Sequence, residues 1–134
     1  MPRQTIFPAL RYRDARAAVD WLADAFGFER VNVYEDDGGV IQHAEMRFGD
    51  SVIMFGQVRE AAAGEYSAVA PPPGSAALYA ITEDPDALHD RAKAAGAEIA
   101  MGLRDQDYGS REFTARDLDG NIWTFGTYDP AAGG

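Results

Sequence analysis

Cysteine is absent from the 134 residues. Disulfides, zinc–thiolate centres and thiol nucleophiles are therefore excluded. Lysine is almost absent: Lys93 is the single one, and arginine supplies the remaining positive charge. Basic residues are also outnumbered, twelve Lys and Arg against 22 Asp and Glu, for a net charge of -10 and a pI near 4.5. Such a surface repels phosphate backbones and anionic lipid, so neither nucleic acid nor membrane is expected as a partner. A cationic small molecule would be attracted. No run approaches the roughly 20 apolar residues of a membrane-spanning helix. Met1-Pro2-Arg3-Gln4 leads straight into apolar alternation, without the apolar stretch of a signal peptide, and a cytoplasmic location is expected. No G-x-S-x-G, P-loop or G-x-G-x-x-G motif occurs, and no carboxylate pair is singled out by its spacing as a glycosidase dyad would be.

The chain does hold an ordinary globular share of apolar residues, 46%, and is long enough to bury a core as one domain. It also repeats itself. In each half a strand-like run leads through an acidic capping region into an amphipathic helix that a glycine stops. The first half opens Ala9-Leu10-Arg11-Tyr12-Arg13-Asp14, then runs Ala17 to Phe26 and Gly27; the second opens Leu78-Tyr79-Ala80-Ile81-Thr82-Glu83-Asp84, then runs Asp86 to Ala95 and Gly96. The two stopping glycines are 69 residues apart. Ser51-Val52-Ile53-Met54-Phe55-Gly56 and Asn121-Ile122-Trp123-Thr124-Phe125-Gly126 match at an offset of 70. Two independent matches at nearly one offset indicate a duplicated unit.

Three strands are predicted after each helix: Glu29 to Tyr34, Val40 to Phe48 and Ser51 to Gly56, then Glu98 to Met101, Glu112 to Asp117 and Asn121 to Tyr128. Asp36-Asp37-Gly38-Gly39, Gly49-Asp50 and Asp119-Gly120 mark turns. The polar stretch from Leu103 to Gly109 reads as loop. The fold class is α+β, with module 1 over 1–57, a Pro- and Ala-rich linker over 58–75 and module 2 over 76–130. The residues after 128 read as a frayed tail.

The run Tyr108-Gly109-Ser110-Arg111-Glu112-Phe113-Thr114-Ala115-Arg116-Asp117-Leu118-Asp119-Gly120-Asn121-Ile122-Trp123-Thr124-Phe125-Gly126 resembles the closing signature of the glyoxalase/bleomycin-resistance (vicinal oxygen chelate) superfamily, Asp-Pro-Asp-Gly-Asn before an apolar strand. Leu118 stands where proline is usual. His43 to Ser51 resembles its PhnB-like, glyoxalase-like subgroup. The resemblance implies two βαβββ modules, a curled mixed sheet around one cleft, and assembly as a homodimer. The segment from Gln57 to Ser75 is expected near the dimer contact.

The resemblance also implies where a metal would sit: one His or Glu on the first and last strand of each module. Those positions fall on Phe7, Met54, Ala77 (or Ala76) and Thr124. None is a usual ligand for a divalent ion, so neither metal nor other cofactor is expected.

Strand alternation then selects the cleft. Ile6, Leu10 and Tyr12 are assigned to the helix side, and Phe7, Ala9, Arg11 and Arg13 to the cleft. His43, Glu45 and Arg47 share a face, matched by Glu112, Thr114 and Arg116, with Met54, Tyr79, Ile81 and Thr124 alongside. Tyr108 is placed at the cleft mouth, and Trp123 and Phe125 in the core. The ligand-binding set is Phe7, Arg11, His43, Glu45, Met54, Tyr79, Tyr108, Glu112 and Thr124. His43 and Glu45 form either a general-base pair or a hydrogen-bonded pair on a solvated face. The arginines at 11, 47 and 116 either clamp a ligand carboxylate or pair with Glu45 and Glu112. His89 is expected to be exposed on its helix.

Two function classes follow. One is a metal-independent protein that sequesters an amphipathic, cationic organic molecule, as the bleomycin-resistance members do. The other is a lyase, isomerase or dioxygenase-like enzyme with a non-standard site around His43, Glu45 and Glu112.

Overall fold

A computed structural model of the chain describes residues 3–60 and 63–132. The first module runs β1 (Ala9–Tyr12), α1 (Ala15–Phe26), β2 (Glu29–Glu35), β3 (Ile41–Phe48) and β4 (Ser51–Gln57). A short helix, α2 (Glu65–Val69), interrupts the linker. The second module runs β5 (Ala77–Ile81), α3 (Pro85–Ala94), β6 (Glu98–Asp105), β7 (Arg111–Arg116) and β8 (Ile122–Gly126). The sheets have matching orders, β1-β4-β3-β2 and β5-β8-β7-β6. In each, the first and last strands run parallel and the others antiparallel. The predicted α+β duplication is the observed architecture.

Local chemistry explains the boundaries. Asp14 and Asp84 cap the two long helices, accepting hydrogen bonds from the backbone N–H of Ala17 (3.1 Å) and Ala87 (3.0 Å). Gly27 closes α1 at φ 79°, the left-handed geometry a helix C-terminus needs and a side chain resists. β6 extends to Asp105, so the stretch assigned to loop from Leu103 onward is partly strand. A four-residue turn, Gln106 to Gly109, supplies the polar character. β1 begins only at Ala9, too late for alternation to govern Ile6, which is 86% exposed instead of facing the helix.

One core serves both modules. Leu22, Phe26, Met46, Phe55, Phe113, Trp123 and Phe125 are all buried in it. Phe26 on α1 touches Trp123 and Phe125 of β8, and Phe48 of β3 lies 5.6 Å from Phe125, ring centre to ring centre. The helix-bearing faces of the two sheets therefore meet, with α1 packed on α3. Arg91 on α3 ties the helices by donating to the carbonyls of Asp24 and Ala23, both at 2.9 Å. That leaves both helix-free faces pointing away from the core. No helix among the described residues is long and apolar enough to cross a membrane.

Candidate functional site

The helix-free faces carry the residues that alternation assigned to a cleft. They do not form one cleft within a chain. They line two hollows with no residue in common. The reason is the packing just described: because the helix sides are buried against each other, the open sides diverge.

The hollow of module 2, about 660 Å³, is lined by Tyr79, Tyr108, Glu112, Thr124, Tyr128 and several aliphatic residues. Register sets its floor: Glu112 pairs with Gly126, and Thr114 with Thr124. The hydroxyls of Thr114 and Thr124 are 2.9 Å apart. Glu112 is 8% exposed and accepts a hydrogen bond from Tyr108 Oη at 2.7 Å. That bond, with burial and the carboxylate's charge adding to it, pushes the Tyr108 phenol up to about 12. Tyr79 Oη donates to the carbonyl of Tyr128 at 2.7 Å, and burial raises the Tyr79 phenol as well. Gly126 makes this arrangement possible. A Cβ there would lie 2.6 Å from Glu112 Cγ and 2.8 Å from Tyr79 Oη, so only glycine lets both side chains cross the strand.

The hollow of module 1, about 400 Å³, holds Arg11, His43, Met54, Gln57, Arg59 and Tyr66 among its lining residues. His43 Nε2 and Glu45 Oε2 are 3.0 Å apart, and Asn32 Nδ2 donates to Glu45 Oε1 at 2.8 Å. Asn32 first, then His43, holds the Glu45 carboxyl below its usual range. Tyr34 stacks on the His43 ring. The pair is thus a bonded link on a partly solvated sheet face. Arg11 donates to the carbonyl of Arg59 at 3.0 Å. Phe7 precedes β1 and is 40% exposed.

Of the expected set, Tyr79, Tyr108, Glu112 and Thr124 gather in one hollow, and Arg11, His43 and Met54 in the other. Glu45 borders His43, and Phe7 lines neither. The arginine pairings differ from those expected: Arg116 bonds Glu98 at 3.2 Å instead of Glu112, and Glu45 takes His43 and Asn32. His89 is not exposed; its side chain is 16% accessible and stands edge-on to Phe113, because β7 runs beneath that turn of α3. Tyr128 is the site residue that sequence reasoning missed. It shares the parity of Ile122, Thr124 and Gly126 within the strand predicted to run to Tyr128, and that parity was the signal that could have found it, although β8 itself ends at Gly126.

The sequence profile of the Glyoxalase/Bleomycin resistance protein/Dioxygenase superfamily matches residues 6–125. The chain belongs to this superfamily. It is similar to an uncharacterized protein of Mycobacterium bovis, Mb0911c, at 29% identity over 121 residues, 89% of this chain and 80% of that protein. Its fold is similar to TioX from Micromonospora sp. ML1, with a TM-score of 0.80 and 29% identity over 94% of this chain and 99% of TioX. A glyoxalase/bleomycin resistance protein/dioxygenase family enzyme from Burkholderia phytofirmans shares the fold at a TM-score of 0.72 and 18% identity, over 90% of this chain and 95% of that one.

Membership raises the question of a metal, and the residues here do not fit one. At the superfamily's ligand positions, Phe7, Met54 and Ala77 carry no oxygen or nitrogen side-chain donor, and the Thr124 hydroxyl is taken by Thr114. Among the described residues no group of three or more His, Asp or Glu side chains could hold a metal ion. The closing signature is structural in this chain. Asp117 receives hydrogen bonds from the backbone N–H of Asp119 and Asn121, from Asn121 Nδ2, from Trp123 Nε1 and from Tyr12 Oη.

Proposed function

We propose that this protein binds an amphipathic organic molecule without a metal ion, sequestering it as the bleomycin-resistance members of the superfamily do, and that it acts as a homodimer. The observation that carries this reading is the module 2 hollow. Its floor, where a metal ligand would stand, holds Ala77 and Thr124, and its volume of about 660 Å³ suits a drug-sized ligand. Hydrocarbon and ring surface there stabilise an apolar ligand face by about 25 cal/mol per Å² buried, less the cost of immobilising it.

The divided site supports the dimer reading. A second copy laying its module 1 hollow over this module 2 hollow would unite Arg11, His43 and Met54 with Tyr79, Tyr108, Glu112 and Thr124 in one cleft. It would also cover Tyr66, which lines the module 1 hollow and is 60% exposed. The proposal is tested by a thermal-shift and native mass spectrometry screen of organic ligands, with and without EDTA. Binding that survives chelation is the expected result. Binding abolished by EDTA and restored by a divalent ion would overturn the metal-free reading and make His43 the first ligand to test.

A further inference from the structure

Resting on that reading, we infer that the module 2 hollow recognises an N-alkylated ammonium group, held against Glu112 and enclosed by Tyr79, Tyr108 and Tyr128. The starting point is an electrostatic imbalance. Glu112 is almost wholly buried and faces the hollow. A buried carboxylate costs desolvation unless it is paired. Among the described residues no cationic side chain pairs with it. Arg111, the nearest in sequence, is committed to Asp86 and Asp105. Arg104 stands opposite Glu112 in the β6–β7 register, at an exposed position, and makes no ion pair with it. Tyr108 supplies a single neutral hydrogen bond to one carboxylate oxygen.

The surroundings say what kind of cation completes the pair. Tyr108 and Tyr128 stand at 77° to each other with ring centres 5.7 Å apart, forming two walls of a corner. Tyr79 makes a third side, fixed through its hydroxyl on the Tyr128 carbonyl. Aromatic faces attract a cation through the ring quadrupole, and such cages are a known solution for quaternary ammonium groups. Ring faces supply no oxygen or nitrogen acceptor for the three or more N–H donors of a primary ammonium or a guanidinium. Methyl groups around the nitrogen remove that demand and spread the charge over a surface that rings can contact. The protein's net charge of -10 favours the arrival of such a ligand.

An isosteric pair of probes isolates the charge: 4-hydroxyphenyltrimethylammonium and 4-tert-butylphenol, titrated by NMR with the tyrosine resonances as reporters. The cation is expected to bind at least about tenfold more tightly than its neutral twin. Glu112→Gln, which keeps size and shape, should bring the ratio to about one. Tyr108→Leu, at an exposed position, should reduce the ratio in a protein whose fold is not in question. It serves as the deciding variant if Glu112→Gln fails to fold. Equal affinities in the unaltered protein, or a preference that persists in both variants, would overturn the ammonium inference and leave the hollow standing as an organic-ligand site. If neither probe perturbs the three tyrosines, both readings fall together.

Discussion

Tyr12 Oη donates a 2.6 Å hydrogen bond to Asp117 Oδ2, joining residues 105 positions apart across the buried seam between the modules. Tyr12 closes β1 of the first module, and Asp117 opens the turn before β8 of the second. Removing this hydroxyl leaves the ring's packing on Phe55 intact. Tyr12→Phe should therefore cost about 1.5–3 kcal/mol, the usual range for a hydrogen bond to a charged group, measured by urea denaturation. Asp117→Ala strands Tyr12 Oη and Trp123 Nε1 together and should cost more than Tyr12→Phe.

The same contact makes a pH prediction. Burial, with the Asp117 charge reinforcing it, pushes the Tyr12 phenol well above the tyrosine range. A group whose folded pKa is raised contributes stability that is complete below its unfolded pKa, near 10 for tyrosine, and is lost as pH rises beyond it. Stability should be flat with respect to this group at neutral pH and should fall above about pH 10. In Tyr12→Phe that alkaline limb should be shallower. An equally steep limb in the variant would assign alkaline unfolding to other groups.

Gly126→Ala probes the close crossing beneath the module 2 hollow. The added methyl meets Glu112 Cγ and Tyr79 Oη at less than van der Waals distance. Overpacking of this kind costs roughly 1–3 kcal/mol and should displace both side chains from the hollow. Loss of ligand affinity together with a lower thermal midpoint is the expected result. Unchanged affinity would show that Glu112 and Tyr79 do not set the binding geometry.

In the module 1 hollow, the partial exposure of the His43–Glu45 link (side chains 41% and 28% accessible) limits its contribution to stability, as for other solvent-screened pairs. His43→Ala should change stability by less than about 1 kcal/mol while altering which ligands bind. Met54→Ala, and Phe7→Ala if the dimer brings Phe7 to the cleft, should weaken binding without unfolding the protein. A ligand-screen profile identical to that of the unaltered protein would remove module 1 from the site.

Light scattering tests the assembly. A dimer at micromolar concentration is expected, and loss of ligand binding should accompany a charge introduced at Tyr66, which lines the module 1 hollow. A monomer that binds ligand with full affinity would confine the site to one chain.

Much of this was legible in the chain alone, for identifiable reasons. The caps Asp14 and Asp84 and the stop at Gly27 are local chemistry, readable within a few residues. The parity of Ala44, Met46, Trp123 and Phe125 follows from the period of a strand, as does the placing of His43 and Glu45 on the open face of module 1 and of Glu112 and Thr124 on that of module 2. The duplication at an offset near 70 specified two equal modules. Alternation failed where there was no strand to carry it, at Ile6 before β1. The expectation that His89 is exposed failed because its surroundings depend on Phe113 from another element. Only tertiary structure decided how the modules meet. Phe26, Phe48, Trp123 and Phe125 bury the helix sides of both sheets against one another, so the two open faces diverge and the site residues part into two hollows. Each strand's pattern states which of its sides is apolar; it carries no information about which other apolar side will cover it. That choice is made by the shape of the whole core, and here by Tyr12 reaching Asp117.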